Sequence, residues 1–123
     1  MKDINTPNTR LAALAGSTSE KLVETLISQA TLTSVKDYDE GVSLVLNDQV
    51  DAMVADFPLC AVSLVRYPES GLVSGFSVLT YEPLGIALPG NDPLLLNWVT
   101  NFLGRMEGTG TLELMKDRWI DDA

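Results

Sequence analysis

Residues 10–65 alternate short apolar runs with amphipathic segments, and this alternation constrains the fold more than any other feature of the sequence. The predicted strands are Arg10–Ala15, Thr31–Tyr38 and Val50–Asp56, and the predicted helices run from Glu20 to Ala30, from Asp39 to Leu46 and from Phe57 to Val65. In the first helix the apolar residues recur at the spacing of one helical face. Strict alternation of strand and helix is typical of a parallel, right-handed α/β sheet. The sequence therefore predicts an α/β fold with a doubly wound, mainly parallel sheet and flanking helices.

The remainder of the sequence predicts short strands followed by two helices. The short strands are expected at Leu72–Val73, Phe76–Leu79 and Leu84–Leu88. The run Pro89–Pro93 interrupts the chain and begins a helix, and the apolar residues from Leu94 to Met106 form the most regular stripe in the sequence. Gly108–Gly110 ends this helix, and a shorter one runs from Thr111 to about Arg118.

Two junctions between a predicted strand and the next helix carry polar side chains. After the first strand, Gly16 precedes three hydroxyls on Ser17, Thr18 and Ser19, and after the third strand Asp56 supplies a carboxylate. Helix N-termini bind anionic groups, and ligands of parallel sheets bind beyond the carboxyl ends of the strands. If the first and third strands are neighbours, both groups lie on one edge of the sheet. The alternative is that these residues only cap the helices that follow them.

Composition excludes several classes of function. The absence of histidine rules out histidine general bases, Ser-His-Asp triads and the commonest zinc sites. Cys60, the single cysteine, lies in an apolar run and is expected to be a buried structural thiol. A net charge of −9 disfavours nucleic acid and anionic membrane surfaces as partners. The acidic residues are scattered, so neither a metal site nor a cofactor is predicted.

The sequence also lacks the patterns of export and membrane insertion. We find no signal peptide and no apolar run that could span a bilayer.

Five motifs in this order resemble the family 3 extracellular solute-binding proteins, the amino-acid-binding receptors of ABC importers. The motifs are Gly16–Glu20, Val50–Asp56, Glu82–Leu88, Asn91–Leu95 and Gly108–Trp119. The similarity extends from about Asp3 to Trp119, which is nearly the whole sequence. It implies a periplasmic-binding-protein-like fold in which residues 3–81 form the second lobe. Residues 84–123, with the C-terminal helices, would then be a segment that returns toward a first lobe whose opening half is absent from this sequence.

The resemblance also implies a function for particular residues. Ser17, Thr18 and Ser19 match the helix start that contacts the ligand carboxylate, and Asp56 matches the acid that receives the ligand α-ammonium. The implied protein is not an enzyme but the substrate-binding component of an ABC importer. It would lie in the periplasm or outside the cell, bind a polar amino acid or a similar zwitterion, and have the importer's permease as its partner.

Part of the family's binding site has no counterpart in this sequence. The arginine that clamps the ligand carboxylate from the first lobe is missing, so we expect this chain alone to bind free amino acids weakly or not at all. The apolar stripe from Leu94 to Met106 also loses part of its usual partner surface. We therefore expect copies of this chain to associate through the C-terminal helices as a homo-oligomer.

Three other functions fit part of the sequence. The same fold serves in sensor ectodomains and in regulatory modules, and the sequence leaves this alternative open. A response-regulator receiver domain would use Asp56 as its phosphorylated residue, but it also needs an acidic pair after the first strand and a lysine after the fifth, and both are missing. A small phosphate-handling enzyme built on Gly16–Ser19 would lack a Walker lysine and a histidine.

Overall fold

The structure, a computed structural model, describes residues 2–75 and 79–121. The chain divides into two compact units, Met1–Gly75 and Phe76–Ala123. The first unit contains, in chain order, β1 (Arg10–Leu14), α1 (Thr18–Leu26), β2 (Thr31–Val35), α2 (Tyr38–Leu46), β3 (Ala52–Val54) and α3 (Phe57–Arg66). The second unit contains α4 (Pro93–Gly108) and α5 (Thr111–Lys116), followed by a π-helical turn at Asp117–Asp121. Among the described residues, no helix combines the length and the apolar character that a membrane span requires.

The three strands form one parallel sheet in the order β2-β1-β3. At its carboxyl end, β1 pairs Leu14 with Val35 of β2 and Ala13 with Val54 of β3. Because the central strand is the first in the chain, both connections are crossovers that contain a helix. The predicted α/β fold with a parallel sheet and flanking helices is thereby confirmed.

Two apolar layers pack on opposite faces of the central strand. Leu11 packs with Val23 of α1 and with Ile27, which caps the end of α1, whereas Ala12, its neighbour in the chain, packs with Val35 on the side of α2. Successive side chains of a strand point to opposite faces, so a strand covered on both sides needs apolar residues at every position. This requirement explains why β1 is apolar throughout its interior. Each large aliphatic side chain that is fully buried in these layers contributes about 1.5–3 kcal/mol.

Local capping moves two helix starts from their predicted positions. The second helix begins after Asp37, not after Asp39 as predicted, because the Asp37 carboxylate accepts a hydrogen bond from the Glu40 N–H at 2.8 Å. Glu40 in turn accepts from the backbone N–H of Lys36 at 2.9 Å, and this reciprocal arrangement stabilises the earlier start. The first helix begins at Thr18, two residues before the predicted start at Glu20.

Two of the short strands predicted after residue 70 were wrong. Leu72–Val73 and Leu84–Leu88 are not strands, and the one sheet found in the described residues contains only β1, β2 and β3. An apolar run becomes a strand only when a neighbouring strand accepts and donates its backbone hydrogen bonds. Most of the third predicted strand, residues 76–78 of Phe76–Leu79, lies outside the described residues.

An arginine at the amino edge of the sheet secures the pairing of β1 with β3. The backbone N–H of Arg10 donates to Oδ2 of Asp51 at 2.7 Å, and its Nη2 donates to Oδ1 of the same carboxylate at 2.8 Å. Arg10 Nη1 also donates to the backbone oxygen of Asp48 at 3.0 Å. These bonds tie the start of β1 to the turn that enters β3. They hold the pKa of Asp51 below its ordinary value, mainly through the side-chain bond from Arg10.

Candidate functional site

The predicted polar groups leave the sheet from neighbouring strands. Gly16–Ser19 follows β1, Asp56 follows β3, and these two strands pair directly with each other in parallel. Parallel strands end at the same edge, which is where ligands of such sheets bind. The topology therefore satisfies the condition on which the predicted site depends, that the first and third strands are neighbours.

The hydroxyl of Ser17 is engaged in building the start of α1. Ser17 is the N-cap residue, and its Oγ accepts from the Glu20 N–H at 3.1 Å while it donates to the backbone oxygen of Leu14 at 2.6 Å. Thr18 and Ser19 follow in the first turn, Thr18 exposed and Ser19 half-buried. First-turn N–H groups have no acceptor within their own helix, and the positive end of the helix dipole lies there. This turn is consequently able to receive a carboxylate.

Gly16 keeps the approach to this turn open. Its φ of 75° lies in the left-handed region, which glycine adopts at little cost, and a Cβ added at this position would have no atom within 4 Å. The open space beside the backbone lets a ligand come close to the helix start.

Asp56 occupies the N-cap position of α3 without using its side chain as a cap. Its backbone oxygen accepts from the N–H groups of Leu59 and Cys60 at 3.0 and 3.1 Å, but its carboxylate makes no capping hydrogen bond. The residue is exposed. The capping alternative for Asp56 thus accounts for the backbone position but not for the acidic side chain.

Sequence reasoning missed Tyr38 as a neighbour of Asp56. Tyr38 begins α2 at the same edge, where β2 ends, and it was read only as the end of a predicted strand. Burial raises the pKa of its phenol, and the charge of Asp56 raises that pKa further. Cys60 is half-buried, and burial first and the charge of Asp56 second raise the pKa of its thiol. The signal in the sequence was the place of Tyr38 at the carboxyl end of the predicted second strand, the edge at which Asp56 was also expected.

An ion pair joins the two helices that border Asp56. Arg66 Nη1 donates to Oδ1 of Asp39 at 3.3 Å, which links the end of α3 to the first turn of α2. Both side chains are more than half exposed, so the pair contributes little to stability. Across residues 2–75 and 79–121, no cluster of three acidic or cysteine side chains could hold a metal ion.

Solved structures match nearly the whole chain, although no family model and no curated protein matches it. An ancestral amino acid-binding protein, a precursor of cyclohexadienyl dehydratase, is 33% identical with a TM-score of 0.80, over 96% of this chain and 49% of that one. A binding component of an ABC transporter from Wolinella succinogenes DSM 1740, complexed with lysine, is 31% identical with a TM-score of 0.90, over 97% and 51%. An ancestral cyclohexadienyl dehydratase is 27% identical with a TM-score of 0.54, over 98% and 50%.

These matches cover the chain almost completely, whereas the chain spans only about half the length of the proteins it matches. Of these three matches, the two above 30% identity are binding proteins, one described as amino acid-binding and one complexed with lysine. Their similarity confirms the resemblance that the five sequence motifs indicated. The chain belongs to the family 3 solute-binding proteins.

Proposed function

We propose that this chain forms the amino-acid-binding edge of the substrate-binding component of an ABC importer. The observation that supports this proposal best is the pairing of β1 with β3, since it puts a helix N-terminus and an uncapped carboxylate at adjacent strand ends. A zwitterion needs an anion site and a cation site a few ångströms apart, and these two groups have the required chemistry. In this proposal the helix start that Ser17 caps meets the ligand carboxylate through the first turn at Thr18 and Ser19, and Asp56 meets its α-ammonium.

The ligand is a polar amino acid, and L-lysine is the first one to test. One matched structure holds lysine, and an ancestral cationic amino acid-binding protein, 32% identical, matches this chain with a TM-score of 0.80. A cationic side chain also suits the surface of this protein, whose net charge of −9 attracts cations over its whole surface.

The affinity of this chain alone is weak because it covers only part of the ligand. The chain spans about half of each matched protein, so it offers a ligand one side of a cleft rather than an enclosed site. An open site leaves the ligand charges hydrated and makes fewer contacts to offset the entropy of binding. We expect dissociation constants in the millimolar range.

Nuclear magnetic resonance tests this proposal, since it detects weak binding residue by residue. Lysine is added to the ¹⁵N-labelled chain through the millimolar range, with two matched controls, a diamine without a carboxylate and the 2-hydroxy analogue of lysine without the α-ammonium. Lysine should shift the amide signals of Thr18–Glu20 and Asp56 most, and each control should shift only one of these groups. Absent or evenly scattered shifts would refute the site. Micromolar affinity would instead refute the expectation that this chain binds weakly.

The proposed compartment is the periplasm or the cell exterior, and the proposed partner is the permease of the importer. Purified chain, together with lysine, should stimulate ATP hydrolysis by the reconstituted importer. If lysine binds but hydrolysis does not rise, the same binding site serves a sensor or regulatory module instead.

A cyclohexadienyl dehydratase is the second candidate function, because one matched structure is an ancestral enzyme of that kind. We prefer binding without catalysis, since the matches with TM-scores of 0.80 and 0.90 are binding proteins. Incubation of the chain with a cyclohexadienyl substrate should therefore release no aromatic product. Steady formation of that product would favour the enzyme.

The partner we propose for the C-terminal helices is a second copy of this chain. The side chains of Trp98, Phe102 and Trp119 are 64%, 45% and 65% exposed, and the rings of Trp98 and Phe102 stack with centroids 5.4 Å apart. Residues 93–118 carry three basic and three acidic residues, so this apolar surface has no net charge although the whole chain carries −9. Two copies can therefore join here without strong repulsion.

Sedimentation equilibrium tests the association of copies. The mean mass should rise with concentration for the parent chain and stay at the monomer value for Trp98→Glu. The matched control is Thr100→Glu on the same helix, which introduces the same charge at an exposed polar residue. A parent chain that stays monomeric at high concentration would refute this interface.

A further inference from the structure

The carboxylate of Glu20 ties the start of α1 to a neighbouring strand. Glu20 is the third residue of the helix, and its N–H donates to the Ser17 Oγ at 3.1 Å. Its Oε1 accepts from the backbone N–H of Gly16 at 3.1 Å, and its Oε2 accepts from the hydroxyl of Ser34 on β2. Both oxygens of one side chain are thus engaged, each by a different segment of the chain.

This arrangement goes beyond an ordinary helix cap. In a capping box the glutamate returns to the N–H of the cap residue itself. Here the Ser17 N–H donates to the backbone oxygen of Leu14 at 3.1 Å, and Glu20 reaches one residue further back to Gly16. The link to Ser34 has no role in capping α1, because it connects the helix to another strand.

The link fixes the turn between β1 and α1 on the side of β2. The N–H of Ala15 donates to the backbone oxygen of Val35 at 2.9 Å, which continues the pairing of β1 with β2 by one residue. Glu20 then holds Gly16, the next residue, to Ser34. The turn is therefore attached to β2 at two consecutive residues before the helix begins.

The same contacts decide which donors a ligand carboxylate meets. Gly16 donates its N–H to Glu20, and Ser17 donates both its N–H and its hydroxyl to Leu14. A second anion at this helix start therefore does not meet the Gly16 N–H or the Ser17 donors. The Ser34 hydroxyl and the Gly16 N–H stabilise the ionised form of Glu20 and hold its pKa below the ordinary value.

We propose that Glu20 is a positioning residue, which holds the turn at Gly16–Ser19 in the geometry that receives the ligand carboxylate. This inference rests on the proposed function of that turn. Glu20 does not touch the ligand in this proposal. It acts through Gly16 and through the strand β2.

The test compares four variants of the full chain. Glu20→Ala removes both contacts, Glu20→Gln keeps an oxygen that can accept from Gly16, and Ser34→Ala removes only the link to β2. Glu24→Ala is the matched control, because it removes an exposed glutamate one turn further along the same helix. Thermal unfolding of each variant separates a local effect from a loss of folded protein.

The test needs two measurements, one on the unliganded chain and one with lysine added. Amide hydrogen exchange reports how firmly the Gly16 N–H is held in the unliganded chain, and the buried residue Val42 of α2 is the reference for global opening. Lysine titration by nuclear magnetic resonance reports the effect on the site. Glu20→Ala should speed exchange at Gly16 and weaken lysine binding, each about tenfold, as expected for the loss of a hydrogen bond to a charged group.

The other variants should rank by the contacts they keep. Glu20→Gln should stay close to the parent chain, Ser34→Ala should fall between the parent and Glu20→Ala, and Glu24→Ala should match the parent. The proposal is overturned if Glu20→Ala behaves like Glu24→Ala, or if exchange at Gly16 rises while lysine binding is unchanged. If the parent itself shows no response to lysine, the proposed function fails, and the exchange readout still decides whether Glu20 holds the turn.

Discussion

Replacing Asp56 by asparagine should weaken the binding of an amino acid while the fold is retained. The substitution keeps the size of the side chain and removes its charge. Asp56 makes no side-chain hydrogen bond to α3, so the helix loses no cap. The expected loss is therefore confined to ligands that present an ammonium group to this carboxylate.

The magnitude follows from the exposure of the carboxylate. A hydrogen bond to a charged group contributes about 1.5–3 kcal/mol, and an exposed group belongs at the low end of this range. Asp56 is exposed, and about 1.4 kcal/mol corresponds to a tenfold change in the dissociation constant. Asp56→Asn should accordingly raise the dissociation constant for lysine about tenfold.

The matched control removes the same charge from the opposite edge of the sheet. Asp48 lies in the turn between α2 and β3, its side chain is 95% exposed, and its φ of 57° is one that asparagine tolerates well. Asp48→Asn lowers the net negative charge as much as Asp56→Asn does. Titrations at physiological salt, where the screening length is about 8 Å, keep the control from acting over a distance.

A second ligand shows which ammonium group Asp56 receives. The 2-hydroxy analogue of lysine keeps the side-chain ammonium and lacks the α-ammonium. If Asp56 receives the α-ammonium, Asp56→Asn weakens lysine and leaves the analogue unchanged. Equal losses for both ligands would reassign Asp56 to the side-chain ammonium. Equal losses for Asp56→Asn and Asp48→Asn would refute a specific role for Asp56.

Three further predictions concern stability. Ile27→Ala should lower the free energy of unfolding by about 2–5 kcal/mol, because Ile27 is fully buried against β1. Leu26→Ala, at the neighbouring residue, should lower it much less, since Leu26 is 48% exposed. Thermal unfolding checks both variants, because each kcal/mol corresponds to about 4–8 °C in the melting temperature. The lowered pKa of Asp51 means that its bond to Arg10 stabilises the fold above the ordinary carboxyl pKa and is lost as the pH falls through the lowered pKa. Asp51→Asn should therefore lower the urea midpoint at neutral pH and flatten its decline toward acid, and an unchanged acid profile would contradict this assignment. Gly16→Ala should lower the free energy of unfolding by about 1 kcal/mol, because alanine is strained at the positive φ of this residue. No steric clash adds to this cost, since the new Cβ would have no atom within 4 Å. An unchanged midpoint in urea unfolding would show that the turn relaxes.

Local patterns in the sequence were sufficient for the elements of the first unit. The apolar residues of β1 indicated a strand covered on both faces, and the hydroxyls after Gly16 indicated the start of α1. These features depend on residues within one turn or one strand of each other. The second helix start was misplaced by two residues because two acidic residues, Asp37 and Asp39, both suit an N-cap.

The strand predictions that were wrong concern apolar runs that pair with no neighbouring strand. The run Leu84–Leu88 is as apolar as a strand, but its side chains are mostly exposed and no strand in the described part of the chain pairs with it. Strand formation depends on hydrogen bonds to a distant segment, and the sequence of the run itself does not record whether that segment is there.

The sequence by itself determined the α/β class, the hydroxyl cluster before the first helix and the acid after the third strand, since each depends on neighbouring residues. Only the tertiary structure decided that β1 lies between β2 and β3, which brings the ends of β1 and β3 to adjacent positions. It also decided that Glu20 reaches Ser34 and that the charge of Asp56 reaches Tyr38. The physical reason is distance along the chain. Glu20 and Ser34 are 14 positions apart and Tyr38 and Asp56 are 18 apart, so each pair meets only when the chain crosses over to form the sheet.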